Sequence, residues 1–354
     1  MTTLSSSLTA GALNFKNRVV MAPLTRCRAD ENRVPTDLMV EYYRQRASAG
    51  MILTEATSVT AMGVGYPNTP GIWSDEQVAG WKKITDAVHA EGGLIVLQLW
   101  HVGRISDPVY LNDELPVAPS AVAAAGHVSL IRPEKAYVTP RALETDEIPG
   151  VIEAFRKGAE NAKKAGFDGV EIHGANGYLL EQFLATGVNL RTDQYGGSVE
   201  NRARLMLEIT DAVVGVWGAE RVGMHLSPRS DAHDNKTDDR ENTYLYVARE
   251  LGKRKLAFIC AREGEGDDSL GPRLKDAFGG VYIANESFTG ESAAALIERG
   301  AADAVAFGKD FIANPDLPHR LAQGAVLNEQ DPSTFYASGK EGYTTYPALK
   351  SSAA

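Results

Sequence analysis

Eight times along its 354 residues the chain repeats one alternation: a short apolar, β-branched run, then a longer stretch with helical spacing. The runs that read as strands are 18–22 (RVVMA), 51–53, 94–99 (LIVLQL), 169–172, 222–226, 256–260, 281–284 and 304–307. Helical segments are predicted at 37–49, 75–89, 151–165, 199–217, 243–253, 272–278, 290–299 and 312–323. Ser74 is placed as an N-cap, with Asp75 and Glu76 in the first turn and a stop at Gly92 and Gly93. The strands do not alternate polar with apolar, as expected where both faces are covered. Eight units in this order predict a (β/α)8 barrel, an α/β fold, as one domain over residues 1–354. A doubly wound sheet is the alternative, and no Gly-x-Gly-x-x-Gly follows the first strand to support it. Residues 100–149, rich in Pro, Ala and Ser, read as an insertion that caps one face, with room for a small hairpin. Residues 350–354 read as a flexible tail.

A formal charge of -10 and a pI near 5.3 argue against a nucleic-acid surface. The two cysteines, Cys27 and Cys260, are too few and too far apart for a thiolate metal or iron–sulfur centre. No apolar run of about 18 residues is present to cross a bilayer. The opening MTTLSSSLTAGALNF has neither a basic nor an apolar export region. These features predict a cytoplasmic protein with a small-molecule substrate and no membrane partner, as a monomer or homodimer.

Barrels of this type keep their chemistry at the C-terminal strand ends. Those ends carry Pro23, Leu24 and Thr25; Glu55, Ala56 and Thr57; Gln98, Trp100 and His101; His173, Asn176 and Tyr178; His225; Arg262 and Glu263; Asn285; and Gly308 and Lys309. Carboxylates are scarce, which suits neither a metal hydrolase nor a glycosidase, and no metal is expected. Amides, hydroxyls and imidazoles suit a bound organic cofactor. The loops IANESFTGE and FGKDFI, after strands seven and eight, are the natural phosphate site, with Gly308 for close approach and Lys309 for charge. Lys309 as a plain surface cation is the alternative. His173 and Asn176 offer two donors across one short turn, able to grip a carbonyl or nitro oxygen. Tyr178 adds a hydroxyl that is protonated at neutral pH. The alternative is that this turn only satisfies its own backbone.

The string HGANGYLLEQFL, followed by NLRTDQYGGSVENRAR, strongly resembles the Old Yellow Enzyme family of FMN-dependent ene-reductases. So do MAPLTR at 21–26, EYYRQRAS at 41–48, QLWHVGR at 98–104, ADAVAFGKDFIANPDLP and EGYTTYP, which together span nearly the whole chain. The motifs are most similar to those of bacterial members that reduce N-ethylmaleimide, nitrate esters and enones. The resemblance implies non-covalent FMN. Pro23, Leu24 and Thr25 would contact the isoalloxazine, Ala56 and Gln98 the pyrimidine side, and Asn285, Gly308 and Lys309 the phosphate. It further implies that His173 and Asn176 bind the activating group, that Tyr178 protonates the alkene, and that Tyr66, Trp100 and Tyr343 shape the pocket. NADPH, or else NADH, is the implied hydride donor.

Two positions and one loop depart from the family pattern. His225 stands where an arginine is usual, so charge at the flavin pyrimidine end depends on an imidazole. Lys309 replaces a planar arginine fork by a point charge. The phosphate loop lacks glycines often seen there, and weaker FMN retention is expected. Another FMN barrel oxidase or dehydrogenase, or a flavin-binding protein without catalysis, remain the alternatives.

Overall fold

The computed structural model describes residues 2–230 and 232–349, so the tail at 350–354 lies outside the described residues. Eight strands form the ring of the central sheet: β1 Val19–Met21, β2 Met51–Leu53, β3 Ile95–Trp100, β4 Gly169–Gly174, β5 Val222–Leu226, β6 Phe258–Arg262, β7 Val281–Asn285 and β8 Ala304–Phe307, with a ninth two-residue strand, Thr57–Ser58, paired to the end of β3. Each pairs in parallel with the next. β8 pairs with β1, so the ring is closed and the doubly wound alternative is ruled out.

Every residue of β3, β4 and β5 is buried, because one face meets the barrel interior and the other meets the helices. Val20, Met51, Leu53, Val96, Phe258, Cys260 and Ile283 fill the interior. Gly223 is required there: a Cβ would stand 2.2 Å from the Phe258 ring. A hairpin of Leu8–Ala10 and Leu13–Phe15, which the sequence pattern did not announce, joins Leu13 and Phe15 to this inner core. The opposite strand faces, with Ile52, Leu97, Ile172 and Met224, pack against Trp81, Phe155 and Val213 of the surrounding helices.

The helix Asp75–Ala90 begins as expected, with Ser74 Oγ accepting from Gln77 N and the Gln77 side chain accepting from Ser74 N, a full capping box. The single helix predicted at 312–323 is instead two, Lys309–Ala313 and Leu317–Gln323. Asn314 is extended (φ -130, ψ 91) because the following Pro315 disfavours a helical residue before it. A short helix at Leu179–Leu184 was also unforeseen, since all six side chains are buried and leave no amphipathic pattern. Within 100–149, Val117–Ala118 pairs in parallel with Arg141–Ala142, and an isolated antiparallel bridge joins His127 to Ala136. Among the described residues no helix is long and apolar enough to cross a membrane.

Candidate active site

The tight turn after β4 sets the geometry. Asn176 (φ 56) and Gly177 (φ 75) both take the left-handed conformation, which asparagine tolerates and glycine allows freely. A Cβ at Gly177 would meet the Ala232 carbonyl at 2.5 Å. The turn is held from behind by Glu181, which is fully buried. Gly177 N donates to Glu181 Oε2 at 2.5 Å and Ser227 Oγ to Oε1 at 2.5 Å, and Tyr244 Oη donates as well. Asn176 N in turn donates to Ser227 Oγ at 2.7 Å. Burial pushes the Glu181 carboxyl up, and these donors pull it back towards the charged form.

His173, at the end of β4, is buried, and its Nδ1 accepts from Ala175 N at 3.3 Å. With that lone pair engaged, the neutral ring carries its hydrogen on Nε2. Burial, then the neighbouring His225, holds its pKa well below the usual 6.5. Tyr178 Oη shares a 2.7 Å hydrogen bond with Tyr66 Oη, and burial pushes the Tyr178 phenol well up. Tyr178 meets the rings of Trp100 (5.0 Å) and His173 (5.1 Å) edge-on.

These groups open on a cavity of about 990 Å³ at the C-terminal strand ends. Pro23, Leu24, Thr25, Tyr66, His173, Asn176, Tyr178, His225, Asn285, Gly308 and Lys309 all line it. Asn285 Nδ2 is bonded to the Ala306 carbonyl at 2.8 Å, and Lys309 is exposed at the rim. A Cβ at Gly308 would come within 3.3 Å of Leu24 Cδ2, so glycine keeps this wall open.

Four expected residues stand elsewhere. Trp100 lies behind the wall, stacked on Tyr66 at 5.6 Å, and Ala56 packs in the same apolar cluster. Gln98 sits below the floor, its Nε2 donating to Glu171 at 2.7 Å, while Glu171 stands 3.4 Å from His225 Nδ1. Tyr343 does not shape the pocket. Its ring stacks on Tyr42 at 4.0 Å and lies under Arg26 and Arg28, so cation–π packing takes it into the core.

That packing has a consequence that local sequence could not reveal. Arg26 donates to the carbonyls of Phe335 and Gly342, and Arg28 to those of Phe335 and Thr334. The C-terminal segment is thereby tied to the first loop, and Phe335 and Tyr336 join the cavity wall. Val128, Ser129 and Leu130 of the insertion form part of another side. Arg262, Glu286 and Phe288 also line the cavity, and sequence reasoning gave Arg262 and Phe288 no role. Arg262 had been placed at a strand end, which was the available signal.

The donor set fits a flavin mononucleotide: a hydroxyl at Thr25, an imidazole at His225, an amide at Asn285 and a cation at Lys309 around an open slot. The donor atoms of Glu171, His225 and Cys260 lie within 4.8 Å of one another. Burial pushes the Cys260 thiol well up, so it keeps its proton, and Glu171 is already held by Gln98 and His225. Gln98, Glu171 and His225 form a hydrogen-bonded chain beneath the cavity, and Cys260 lies beside it. A second cleft of about 1080 Å³, with Lys16, Asn17 and His319, lies beside the start of β1, away from the strand ends that carry chemistry in such barrels.

Residues 4–328 match the NADH:flavin oxidoreductase / NADH oxidase family. The chain belongs to this family, the Old Yellow Enzyme family. This flavin oxidoreductase is 45% identical over 354 residues to a probable flavin mononucleotide-dependent alkene reductase of Leishmania infantum, covering 97% of this chain and 96% of that one. Morphinone reductase in complex with tetrahydroNAD is similar at 49% identity and a TM-score of 0.96, with 99% of each chain covered. The old yellow enzyme homologue of Zymomonas mobilis is similar at 43% identity and a TM-score of 0.95, covering 98% of this chain and all (100%) of that one.

Proposed function

We propose that this oxidoreductase takes hydride from a nicotinamide cofactor through FMN and reduces the activated C=C bond of unsaturated carbonyls, imides or nitroalkenes. The observation that carries the reading is the turn after β4, where a neutral imidazole N–H, a carboxamide and a phenol converge on one side of the cavity. FMN, when bound, supplies the hydride that reaches the β carbon of the alkene. Pro23, Leu24, Thr25 and His225 line its ring site from the strand ends, with Ala56 and Gln98 behind the pyrimidine side. Asn285, Gly308 and Lys309 would receive its phosphate.

His173 Nε2–H and the Asn176 amide hold the substrate's activating oxygen and stabilise the negative charge that grows on it. Tyr178 gives its phenolic proton to the α carbon, and the adjoining Tyr66 hydroxyl holds the oxygen left behind. Tyr66 forms the wall beside the alkene, backed by Trp100. Residues 100–149 act as a cap, through the Val128–Leu130 wall. We place NADPH ahead of NADH, because Arg132 puts exposed positive charge at the rim for a further phosphate, beyond the Lys309 that serves the FMN phosphate. The tetrahydroNAD complex of morphinone reductase supports NADH as the second reading.

The test is sequential. Purified protein should be yellow and release free FMN on boiling. Anaerobic stopped-flow should then show the flavin bleached by NADPH, compared with NADH, and recoloured by a cyclic enone. A flavin that NAD(P)H reduces but no activated alkene reoxidises would end the reading.

A further inference from the structure

The weak point of the oxygen-binding pair is Asn176. A carboxamide presents a donor or an acceptor depending on a rotation of half a turn about its terminal bond, and only the NH2 end stabilises an oxyanion. The backbone of Asn176 is fixed by Ser227, but that bond does not orient the side chain. On the next strands around the barrel, Arg262 at the end of β6 directs Nη1 at Asn176 Oδ1 at 2.9 Å. Its Nη2 is held by Glu286 Oε1 at 2.9 Å, just beyond β7. A guanidinium has donors and no acceptor, so the group facing it must be the amide oxygen. The NH2 is then turned the other way.

We infer that Arg262, steadied by Glu286, is a positioning residue that locks the Asn176 carboxamide with its NH2 towards the substrate's activating oxygen. This rests on the ene-reductase reading above. The same contact draws electron density towards Oδ1 and leaves the amide hydrogens more positive. Arg262 needs no contact with substrate or flavin for this role. The Arg262–Glu286 pair is over a third exposed on each side, so its own ion pairing contributes little stability. Its geometric effect on Asn176 is what matters.

The experiment uses FMN-loaded protein and single-turnover reoxidation by a cyclic enone. Wild-type protein is first checked for FMN binding and enone turnover, and failure there defeats the functional reading and not this inference alone. Arg262→Ala, Asn176→Ala and the double variant are then compared. Losing an oriented donor costs about 100- to 1000-fold, and a loosened one is expected to slow reoxidation at least about 10-fold in Arg262→Ala. The loss should fall on the limiting rate more than on the half-saturating enone concentration, because the charge grows in the transition state. In the Asn176→Ala background the same change should matter less than about twofold, since there is no amide left to orient. Arg262→Lys should recover part of the rate, and FMN affinity should stay within about twofold throughout.

Should Arg262→Ala fail to fold, Arg262→Met removes the donors while keeping the stem, with the same expected pattern. Equal losses with and without Asn176, or no loss in either, would overturn the proposal.

Discussion

Acidification is the perturbation that best separates this site from an ordinary histidine pair. A second proton on His173 would have to go to Nδ1, which already accepts from Ala175 N at 3.3 Å. Donor would then face donor, at a penalty of about 1–3 kcal/mol for the lost bond. The new charge would also be buried, beside His225 and with Arg262 nearby, and each of these lowers the ring's affinity for a proton. Suppose instead that the ring kept its ordinary pKa of 6.5. Its neutral fraction would then fall from nearly all at about pH 8.5 to roughly a tenth at about pH 5.5, and reoxidation by a neutral enone would change about tenfold. The structure predicts less than about a twofold change over that range. The assay is stopped-flow mixing of pre-reduced enzyme with enone, which isolates the step from reduction by NAD(P)H. His173→Asn keeps an amide donor and removes the titration. A tenfold limb centred near pH 6.5 that vanishes in His173→Asn would refute the reasoning; a limb surviving that change belongs to another group.

Other outcomes follow from the same geometry. Tyr178→Phe should slow alkene reduction by about 100- to 10,000-fold while leaving flavin reduction by NAD(P)H unchanged; equal slowing of both half-reactions would remove Tyr178 as proton donor. Lys309→Ala should weaken FMN about tenfold or more, measured by titration of the apoprotein, and Lys309→Arg should tighten it. Acid should destabilise the fold. His101 is buried and its pKa is pushed down to about 4 by burial alone, so stability complete above 6.5 is lost as pH falls towards about 4, up to about 3 kcal/mol. Glu55, pushed up to about 7 by burial, has the opposite sign: its contribution is complete below 4.5 and is lost as pH rises. Glu181, also raised by burial, sides with Glu55, while His173 and His233 side with His101, so three histidines outweigh two buried carboxyls. A melting temperature that rises between about pH 7 and pH 4.5 would contradict this sum.

Strand positions were legible because burial on two faces writes continuous apolar runs, as at 222–226 and 304–307, whose limits match the structure. The residues of the β4 turn were legible because they sit within six positions of one another. What could not be read depended on partners far along the chain. Tyr343 was expected at the pocket, yet its place is set by Tyr42, Arg26 and Arg28. Phe335 and Tyr336 reach the cavity only because Arg26 and Arg28 bind carbonyls about three hundred residues away. The six-residue helix after Tyr178 was silent because it is short and its polar Glu181 and Gln182 are as buried as its apolar residues, so no exposed face marks it.

A site that steadies negative charge should not have carboxylates pointing at it, yet two, Glu171 and Glu181, are buried within or just after β4. The fold resolves this by occupying both. Glu181 spends its oxygens on Gly177, Ser227, Tyr244 and Asn235, and so converts a hostile charge into the anchor of the donor turn. Glu171 lies below the floor between Gln98 and His225. Glu286, which lines the cavity itself, is turned onto Arg262. What then faces the substrate is a set of neutral dipoles, His173 N–H, the Asn176 amide and the Tyr178 hydroxyl. Neutral dipoles act by orientation rather than by charge. Insensitivity to pH and sensitivity to Arg262 are therefore two expressions of one design: groups that do not titrate over the working range lose their effect chiefly by being turned the wrong way.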